Sequence, residues 1–296
     1  MAEAPVLSVI IATFNARDTI RPCLRALAGQ TVRPFMEVIV VDSSSDGTAG
    51  IVDEEFPWVR RIVFPERKYC GDARNAGLVQ ARGRIIALTD GDCEAQESWV
   101  EEILKAHERN AAPAIGGAIA NGNPESPVGW AAYFCEFSAW MPGGPAGART
   151  DIAGANMSYK GEAFDRCGTF IPGTYCSDTE FHWRLGREGL GLRFEPSIRV
   201  SHRNIPFLGR FLRHEFRHGC SFARVRVKAQ RFTAARRAAY ALSFGLIAAK
   251  IYLQIAARNV ENPVYLRHFC VSSPLTLLGV ITWSLGEAWG YIRSGP

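Results

Sequence analysis

The residues best suited to chemistry are two carboxylates one glycine apart. The apolar run Ile85-Ile86-Ala87-Leu88 leads directly into Thr89-Asp90-Gly91-Asp92. In a tight turn at a strand end both acids can face one ligand, and a hard divalent cation such as Mg²⁺ or Mn²⁺ prefers oxygen donors of this kind. A nucleoside diphosphate needs such a cation to neutralise its oxygens. An Asp-x-Asp alone recurs by chance, so the placement after an apolar strand gives it its meaning. Three further polar clusters occupy comparable places. Thr13-Phe14-Asn15 follows the run Val6–Ala12, and Asp42 follows Val38–Val41, with Asp46-Gly47-Thr48 in the same loop. An acid after such a strand can bond a base edge or a ribose hydroxyl; Ser45 or Asp46 can equally be a plain N-cap for the helix after Thr48. Ala73-Arg74-Asn75-Ala76-Gly77 opens a helix whose N-terminus favours an anion, with Arg74 adding charge.

These clusters require a frame that brings strand ends together. The pattern predicts strands at Val6–Ala12, Glu37–Val41, Arg61–Phe64 and Arg84–Leu88, with helices over Asp18–Leu27, from Thr48 to about Phe56, and over Asp72–Ala81. Strands alternating with helices of this length mean βαβ units and a mostly parallel sheet with helices on both faces, an α/β fold. Ligands of such sheets bind beyond the carboxyl ends of the strands, where the polar clusters fall.

Taken together, Val9-Ile10-Ile11-Ala12-Thr13-Phe14-Asn15, Val40-Val41-Asp42-Ser43-Ser44-Ser45-Asp46-Gly47-Thr48, Ala73-Arg74-Asn75-Ala76-Gly77 and Leu88-Thr89-Asp90-Gly91-Asp92 resemble, in order and spacing, the family 2 glycosyltransferases of the GT-A fold. The resemblance covers about the first ninety-five residues closely and continues more loosely to about residue 220. It implies a nucleotide-sugar donor, with uridine the preferred base, held by Thr13, Asn15, Asp42, Asp46 and Arg74. It also implies Asp90 near the ribose and Mn²⁺ or Mg²⁺ held chiefly by Asp92. Gly154-Ala155-Asn156-Met157-Ser158-Tyr159 looks like the family's acceptor-side segment, which puts Asn156 at the acceptor. Ser177-Asp178-Thr179-Glu180-Phe181 looks like its Glu-Asp-x-Asp/Glu-Leu helix start. Ser177 and Phe181 depart from that pattern, while Asp178 and Glu180 keep it. The resemblance makes Asp178 the base of an inverting displacement and Glu180 an acceptor contact. Read from its own surroundings, Asp178 can also be an N-cap, since Trp183 and Leu185 begin an amphipathic run. Val200-Ser201-His202 resembles a late Val-x-His that adds a metal ligand. The segment Phe211–Gly219 resembles a basic helix facing the diphosphate and the bilayer, with Arg217 as the phosphate contact.

The expected organisation is a catalytic domain over 1–205 (donor half 1–95, acceptor half 96–205), a basic interfacial helical segment over 206–237, and a hydrophobic helical hairpin over 238–296. From Asn121 to Thr150 the composition turns to Gly, Pro and aromatic residues, either an acceptor-cleft excursion that would put Trp140 against the acceptor, or an aromatic satellite core. Between Arg199 and Arg237 eleven Lys/Arg face one acid, Glu215, a local charge of +10 in a chain of net +5. Such asymmetry suits an anionic partner. The apolar stretches Ala238–Ala257 and Val271–Ile292 each approach the ~20 residues of a spanning helix, although Lys250, Gln254 and Glu287 interrupt them.

A basic run directly before apolar helices points to an anionic membrane surface and a lipid-linked glycan acceptor of polysaccharide or cell-wall synthesis. The N-terminus has no basic n-region, and Val6–Ala12 is too short for a signal peptide, so the expected place is a cytoplasmic (inner) membrane with the catalytic domain facing the cytoplasm. Eight cysteines without a C-x-x-C pair read as free thiols of a reducing compartment. Two other readings stand beside this one: a soluble glycosyltransferase whose C-terminal helices are packing or a dimer interface, and a non-catalytic nucleotide- or nucleic-acid-binding module. No recognised nucleic-acid fold accompanies the basic run, so no nucleic-acid partner is expected, and the absence of G-x-G-x-x-G after the first strand argues against a nicotinamide dehydrogenase. The oligomeric state is left open.

Overall fold

The computed structural model describes residues 4–294. The described residues divide into two compact units, each built from three segments: residues 4–122, 144–173 and 177–202 form the first, and residues 123–143, 174–176 and 203–294 the second.

The first unit holds strands β1 (Leu7–Thr13), β2 (Met36–Asp42), β3 (Arg60–Val63) and β4 (Ile85–Asp90), with helices α1 (Ile20–Ala28), α2 (Thr48–Glu55) and α3 (Cys70–Gln80) between them. Then come β5 (Cys93–Ala95), α4 (Trp99–Arg109), β6 (Ala114–Asn121), β7 (Gly147–Arg149), β8 (Asn156–Lys160), α6 (Glu162–Cys167), α7 (Ser177–Arg187) and β9 (Leu192–His202); α5 (Pro127–Phe137) lies in the other unit. The strand order is β3-β2-β1-β4-β8-β6-β9-β5, with β7 paired to β9. The first four strands pair in parallel, as the alternation predicts. The Val- and Ile-rich runs of β1, β2 and β4 are almost wholly buried, as strands covered on both faces must be, while β3 at the edge is partly exposed. Beyond β4 the sheet is mixed, because β8 runs antiparallel to both β4 and β6.

Register is what matters for the site. Thr13 pairs with Asp42, and Ala12 with Asp90, so three polar clusters reach the same sheet edge at the C-terminal ends of adjacent strands. At the other side β5 lies antiparallel to β9 with Cys93 opposite His202. Beneath α7, the rings of Tyr159, Phe164, Phe170 and Phe181 pack with centroids 5.0–6.3 Å apart. Asn75 ties α3 to this layer, donating to the Phe170 carbonyl and accepting from its N–H.

The second unit is helical: α5, then α8 (Leu208–Gln230), α9 (Ala234–Leu242), α10 (Phe244–Glu261) and α11 (Leu266–Arg293). The basic segment becomes α8 and the start of α9. The aromatic stretch forms α5 and its extension, and here the satellite-core reading is the one seen: Trp130 stacks on His268 at 4.3 Å, and Tyr133 and Phe134 pack against Tyr265 and Phe269. Residues 123–143 therefore belong with the C-terminal helices, although sequence placed them in a catalytic domain over 1–205.

The first apolar stretch is not one straight helix. Its two parts, α9 and α10, are bent by 62° at Ser243. The second stretch, Val271–Ile292, lies within Pro263–Arg293, which is long and apolar enough to cross a membrane, and 39% of an apolar 18-residue portion of it is buried within the protein. It approaches α8 through glycines: a Cβ at Gly286 would sit 2.1 Å from the Phe216 carbonyl oxygen, and one at Gly219 2.1 Å from that of Trp283. With Gly290 this is the small-residue spacing that lets helix backbones meet. Glu287, shut from solvent, answers Arg226 of α8 at 3.7 Å and accepts from the Tyr291 hydroxyl at 2.8 Å.

Candidate active site

Asp42 is fully buried. One of its oxygens accepts from the Thr13 hydroxyl at 2.7 Å and from the Ser44 hydroxyl and amide. Its other oxygen, Oδ2, is also buried and has no hydrogen-bond partner. An orphaned carboxylate oxygen at a strand end is a ready acceptor for a base N–H or a ribose hydroxyl, since leaving it unmet costs free energy.

Asn15 has φ +53, a left-handed turn that asparagine tolerates, and its side-chain oxygen accepts from the Ser45 amide. Asp46 is committed to the loop itself: one oxygen takes the Thr48 amide and hydroxyl, the other the Arg17 amide. Burial works against its charge, but these hydrogen bonds prevail and hold its carboxyl below the usual range. Asp46 thus braces its own loop, and neither it nor Ser45 is the N-cap of α2: Gly47 holds that place, with no side-chain cap.

Arg74 is the hub. Its guanidinium is buried, bonds the Gly154 carbonyl at 3.0 Å, and lies 3.2 Å from Asp90 and 3.6 Å from Asp178. Burial disfavours its charge, yet Asp90 beside it raises its pKa further, so it stays a cation. Burial pushes the Asp90 carboxyl up to about 6; Arg74 opposes the rise and the neighbouring charge of Asp92 adds to it. The motif spread over residues 74–178 thus closes into one ionic cluster. Gly154 has a specific reason to be glycine, because a Cβ there would meet Asp178 Oδ2 at 2.3 Å.

The residues fit a divalent cation. Asp92 Oδ1 is buried, makes no hydrogen bond, and faces His202 Nε2 at 3.4 Å. Adjacent ligands of an octahedral ion with bonds of 2.0–2.1 Å stand about 3 Å apart, so a small adjustment seats both. Cys93 shares the cluster. Burial drives its thiol well upward, and its Sγ donates to the Ala155 carbonyl at 3.8 Å.

Two expected acceptor residues are consumed by structure. Asn156 is buried, donates to the carbonyls of Ala118 and Ile198, and accepts from Trp99 Nε1 at 2.9 Å. Its amide stitches three strands and, buried among them, is not presented to a sugar. Glu180 is held by Arg184 at 2.8 Å and Arg187 at 3.9 Å, an anchor for α7. Trp140, half-buried, and Arg217, exposed, belong to the second unit.

Sequence reasoning missed a buried relay beside the proposed base. His182, one helical turn after Asp178, contacts Asp151 closely through Nδ1 and meets the Tyr159 hydroxyl at 2.6 Å through Nε2. Asp151 also accepts from Thr179 at 3.4 Å. The signal was the i,i+4 spacing of Asp178 and His182, which puts both on one face of α7.

A parallel half-sheet ending in orphaned carboxylates, joined to a mixed half that carries a further acid and a histidine, is the architecture of a GT-A glycosyltransferase. The comparisons agree: the model of glycosyl transferase family 2 matches residues 8–170, more than half of the chain, which belongs to that family. The glycosyltransferase AglE of Haloferax volcanii is 28% identical over 222 residues, covering 73% of this chain and 72% of its own. The Escherichia coli protein WfaP, a UDP-Glc:alpha-D-GlcNAc-diphosphoundecaprenol beta-1,3-glucosyltransferase, is 36% identical over 98 residues, 32% of this chain and 37% of its own length. Among solved structures, the mannosyltransferase PcManGT of Pyrobaculum calidifontis, in complex with GDP-Man and Mn²⁺, aligns with a TM-score of 0.62 at 19% identity. That alignment covers 97% of this chain and 88% of the other, a likeness of fold.

Proposed function

We propose that the chain is an inverting, metal-dependent transferase that moves a sugar from a nucleotide-diphosphate sugar, with UDP-sugars the first candidates, to a hydroxyl of a lipid-linked glycan in polysaccharide or cell-wall glycan synthesis. One observation carries the reading: Asp42, Asp90, Arg74, Asp92 and Asp178 meet at one sheet edge with unmet oxygens on Asp42 and Asp92. Asp42 Oδ2 takes a hydrogen bond from the base or ribose. Asp92 and His202 would hold Mn²⁺ or Mg²⁺, which supplies charge neutralisation at the departing diphosphate. Asp178 takes the proton of the acceptor hydroxyl as that oxygen attacks the anomeric carbon from the face opposite the leaving group. Arg74, between Asp90 and Asp178, fixes both carboxylates and keeps them apart. A relative and a fold neighbour support this donor and acceptor chemistry: WfaP takes UDP-Glc to an alpha-D-GlcNAc-diphosphoundecaprenol acceptor, and PcManGT is seen with GDP-Man and Mn²⁺.

The acceptor side of the proposal rests on the second unit. Leu242, Leu246, Leu253, Val260, Val271 and Ile292 are all exposed on α9–α11, between 65% and 85%. An apolar surface of that extent, beside a run of eleven basic residues that ends inside α9, suits a bilayer with an anionic face. The proposed setting is a cytoplasmic membrane with the catalytic unit on the cytoplasmic side.

The test is hydrolysis and transfer with a panel of UDP- and GDP-sugars, with Mn²⁺, Mg²⁺ or chelator, on wild type, Asp92→Ala and Asp178→Asn. The expected result is metal-dependent release of one nucleoside diphosphate. Release is lost in Asp92→Ala, and transfer is lost with donor binding retained in Asp178→Asn. No binding or release with any donor, with and without membrane lipids, would overturn the reading in favour of a non-catalytic module. Normal turnover by Asp178→Asn would remove the base assignment alone.

A further inference from the structure

A second cluster of ligand-type side chains lies wholly inside the helical unit, and nothing in the transfer reaction uses it. His214 and His218 stand one turn apart on α8, and Glu136 projects from α5. The Glu136 Oε1 atom is 3.2 Å from His214 Nε2 and 3.6 Å from His218 Nδ1, and the three ligand atoms lie within 4.8 Å of one another. A tetrahedral Zn²⁺ site with bonds of 2.0–2.1 Å spaces its ligand atoms about 3.3 Å apart. The two measured edges bracket that value.

Electrostatics point the same way. The indole N–H of Trp283 is a donor only, and it meets His218 Nδ1 at 3.3 Å. With that contact Nδ1 serves as an acceptor, so it and Glu136 Oε1, which pairs with His214 Nε2, face each other at 3.6 Å as two lone-pair atoms. A cation relieves this opposition; an anion such as a phosphate would face the Glu136 charge directly. Glu215, buried one residue after His214, hydrogen-bonds the Glu136 carboxylate, the kind of outer partner that orients a metal-ligating carboxylate. The three side chains remain partly exposed, at 34%, 29% and 23%, which leaves room for ion access and a water as fourth ligand.

We propose that Glu136, His214 and His218 form a binding site for a borderline divalent cation of the Zn²⁺ class, pinning α5 to α8 within the helical unit. Two imidazoles and one carboxylate with an open position match the ligand set of such ions and are softer than the oxygen-rich sets of Mg²⁺ or Ca²⁺. When the ion binds, it displaces the long indole contact from Nδ1.

The experiment is calorimetric titration of Zn²⁺ into tag-free, metal-stripped full-length protein in detergent, in wild type and in Asp92→Ala, which removes the other cluster's carboxylate. One Zn²⁺ class that persists in Asp92→Ala is expected, together with a higher melting temperature. That class should weaken by more than ~100-fold in His214→Gln, His218→Gln and Glu136→Gln, beyond the 10–100-fold that loss of an outer partner costs. Titration of the unaltered binding cluster with Co²⁺, again in Asp92→Ala, gives a readout that does not depend on those variants folding. Intense visible d–d bands of a four-coordinate ion without sulfur charge transfer are expected. Zn²⁺ binding that survives all three substitutions, or no four-coordinate Co²⁺ spectrum, overturns the proposal.

Discussion

Gly154→Ala isolates the position of the proposed base from its identity. The added Cβ would lie 2.3 Å from Asp178 Oδ2 and 3.1 Å from Arg74 Nη2. Ordinary carbon–oxygen contact begins near 3.4 Å, so the carboxylate must retreat by about 1 Å while every charge stays in place. Asp178 sits on the first turn of α7, whose Glu180 and His182 are held by Arg184 and Asp151, so the side chain has to turn and the helix stays. A displacement of 1 Å at a reacting group can cost about 100-fold in rate, or ~2.7 kcal/mol of barrier. Steady-state transfer measured as nucleoside diphosphate release should therefore show kcat down about 100-fold, with donor affinity by calorimetry changed little. Gly186→Ala is the control, since a Cβ there meets nothing within 4 Å. A kcat within twofold of wild type in Gly154→Ala, with the protein folded, would refute the placement of Asp178 at the reacting oxygen.

Two further outcomes test other parts of the structure. Burial holds His107 of α4 neutral, with its pKa lowered to about 4, and its Nε2 pairs with Ser158 at 2.9 Å. A histidine with a depressed folded pKa contributes fully above the unfolded value near 6.5 and loses that contribution as pH falls toward 4. Wild type should therefore lose about 3 kcal/mol more than His107→Gln over that window in pH-dependent urea melts, and parallel curves would refute this. Gly286→Val forces α11 from α8 by well over 1 Å against backbone, not a movable side chain. A loss of about 3 kcal/mol or more is expected in detergent melts, and an unchanged melting temperature would show that the two helices do not meet as described.

Much of the donor half was legible because its signals are local. An apolar run followed by Asp42, or by Thr89-Asp90-Gly91-Asp92, states both a strand and what stands at its end, and parallel register then brings the ends together. The acceptor side was less legible because its residues act through partners distant in sequence. Nothing near Asn156 announces that Ala118, Ile198 and Trp99 will absorb its amide, and nothing near Arg74 announces that Asp178 lies 3.6 Å away. Asp46 and Glu180 fit a motif by type but are bound by other residues, Asp46 by Thr48 and by the Arg17 amide 29 residues earlier, Glu180 by Arg184 and Arg187. The bend at Ser243 was hidden for a different reason: composition reports how apolar a segment is, and Ala238–Ala257 reads the same whether straight or broken.

The interleaving of the two units has a consequence for how the chain is made. Helix α5 presents Trp130, Tyr133 and Phe134, whose ring partners Tyr265, His268 and Phe269 come about 130 residues later. At the usual pace of about 5–20 residues per second, roughly 6 to 26 s separate the emergence of these rings from that of the surface that covers them. Throughout that interval the ribosome holds a chain whose first sheet is fully synthesised up to β6 but whose aromatic helix has no place to go. Over that stretch these rings are open to whatever apolar surface they meet, a chaperone or a bilayer included. A chain cut off after β9 would remain in that unfinished state for good.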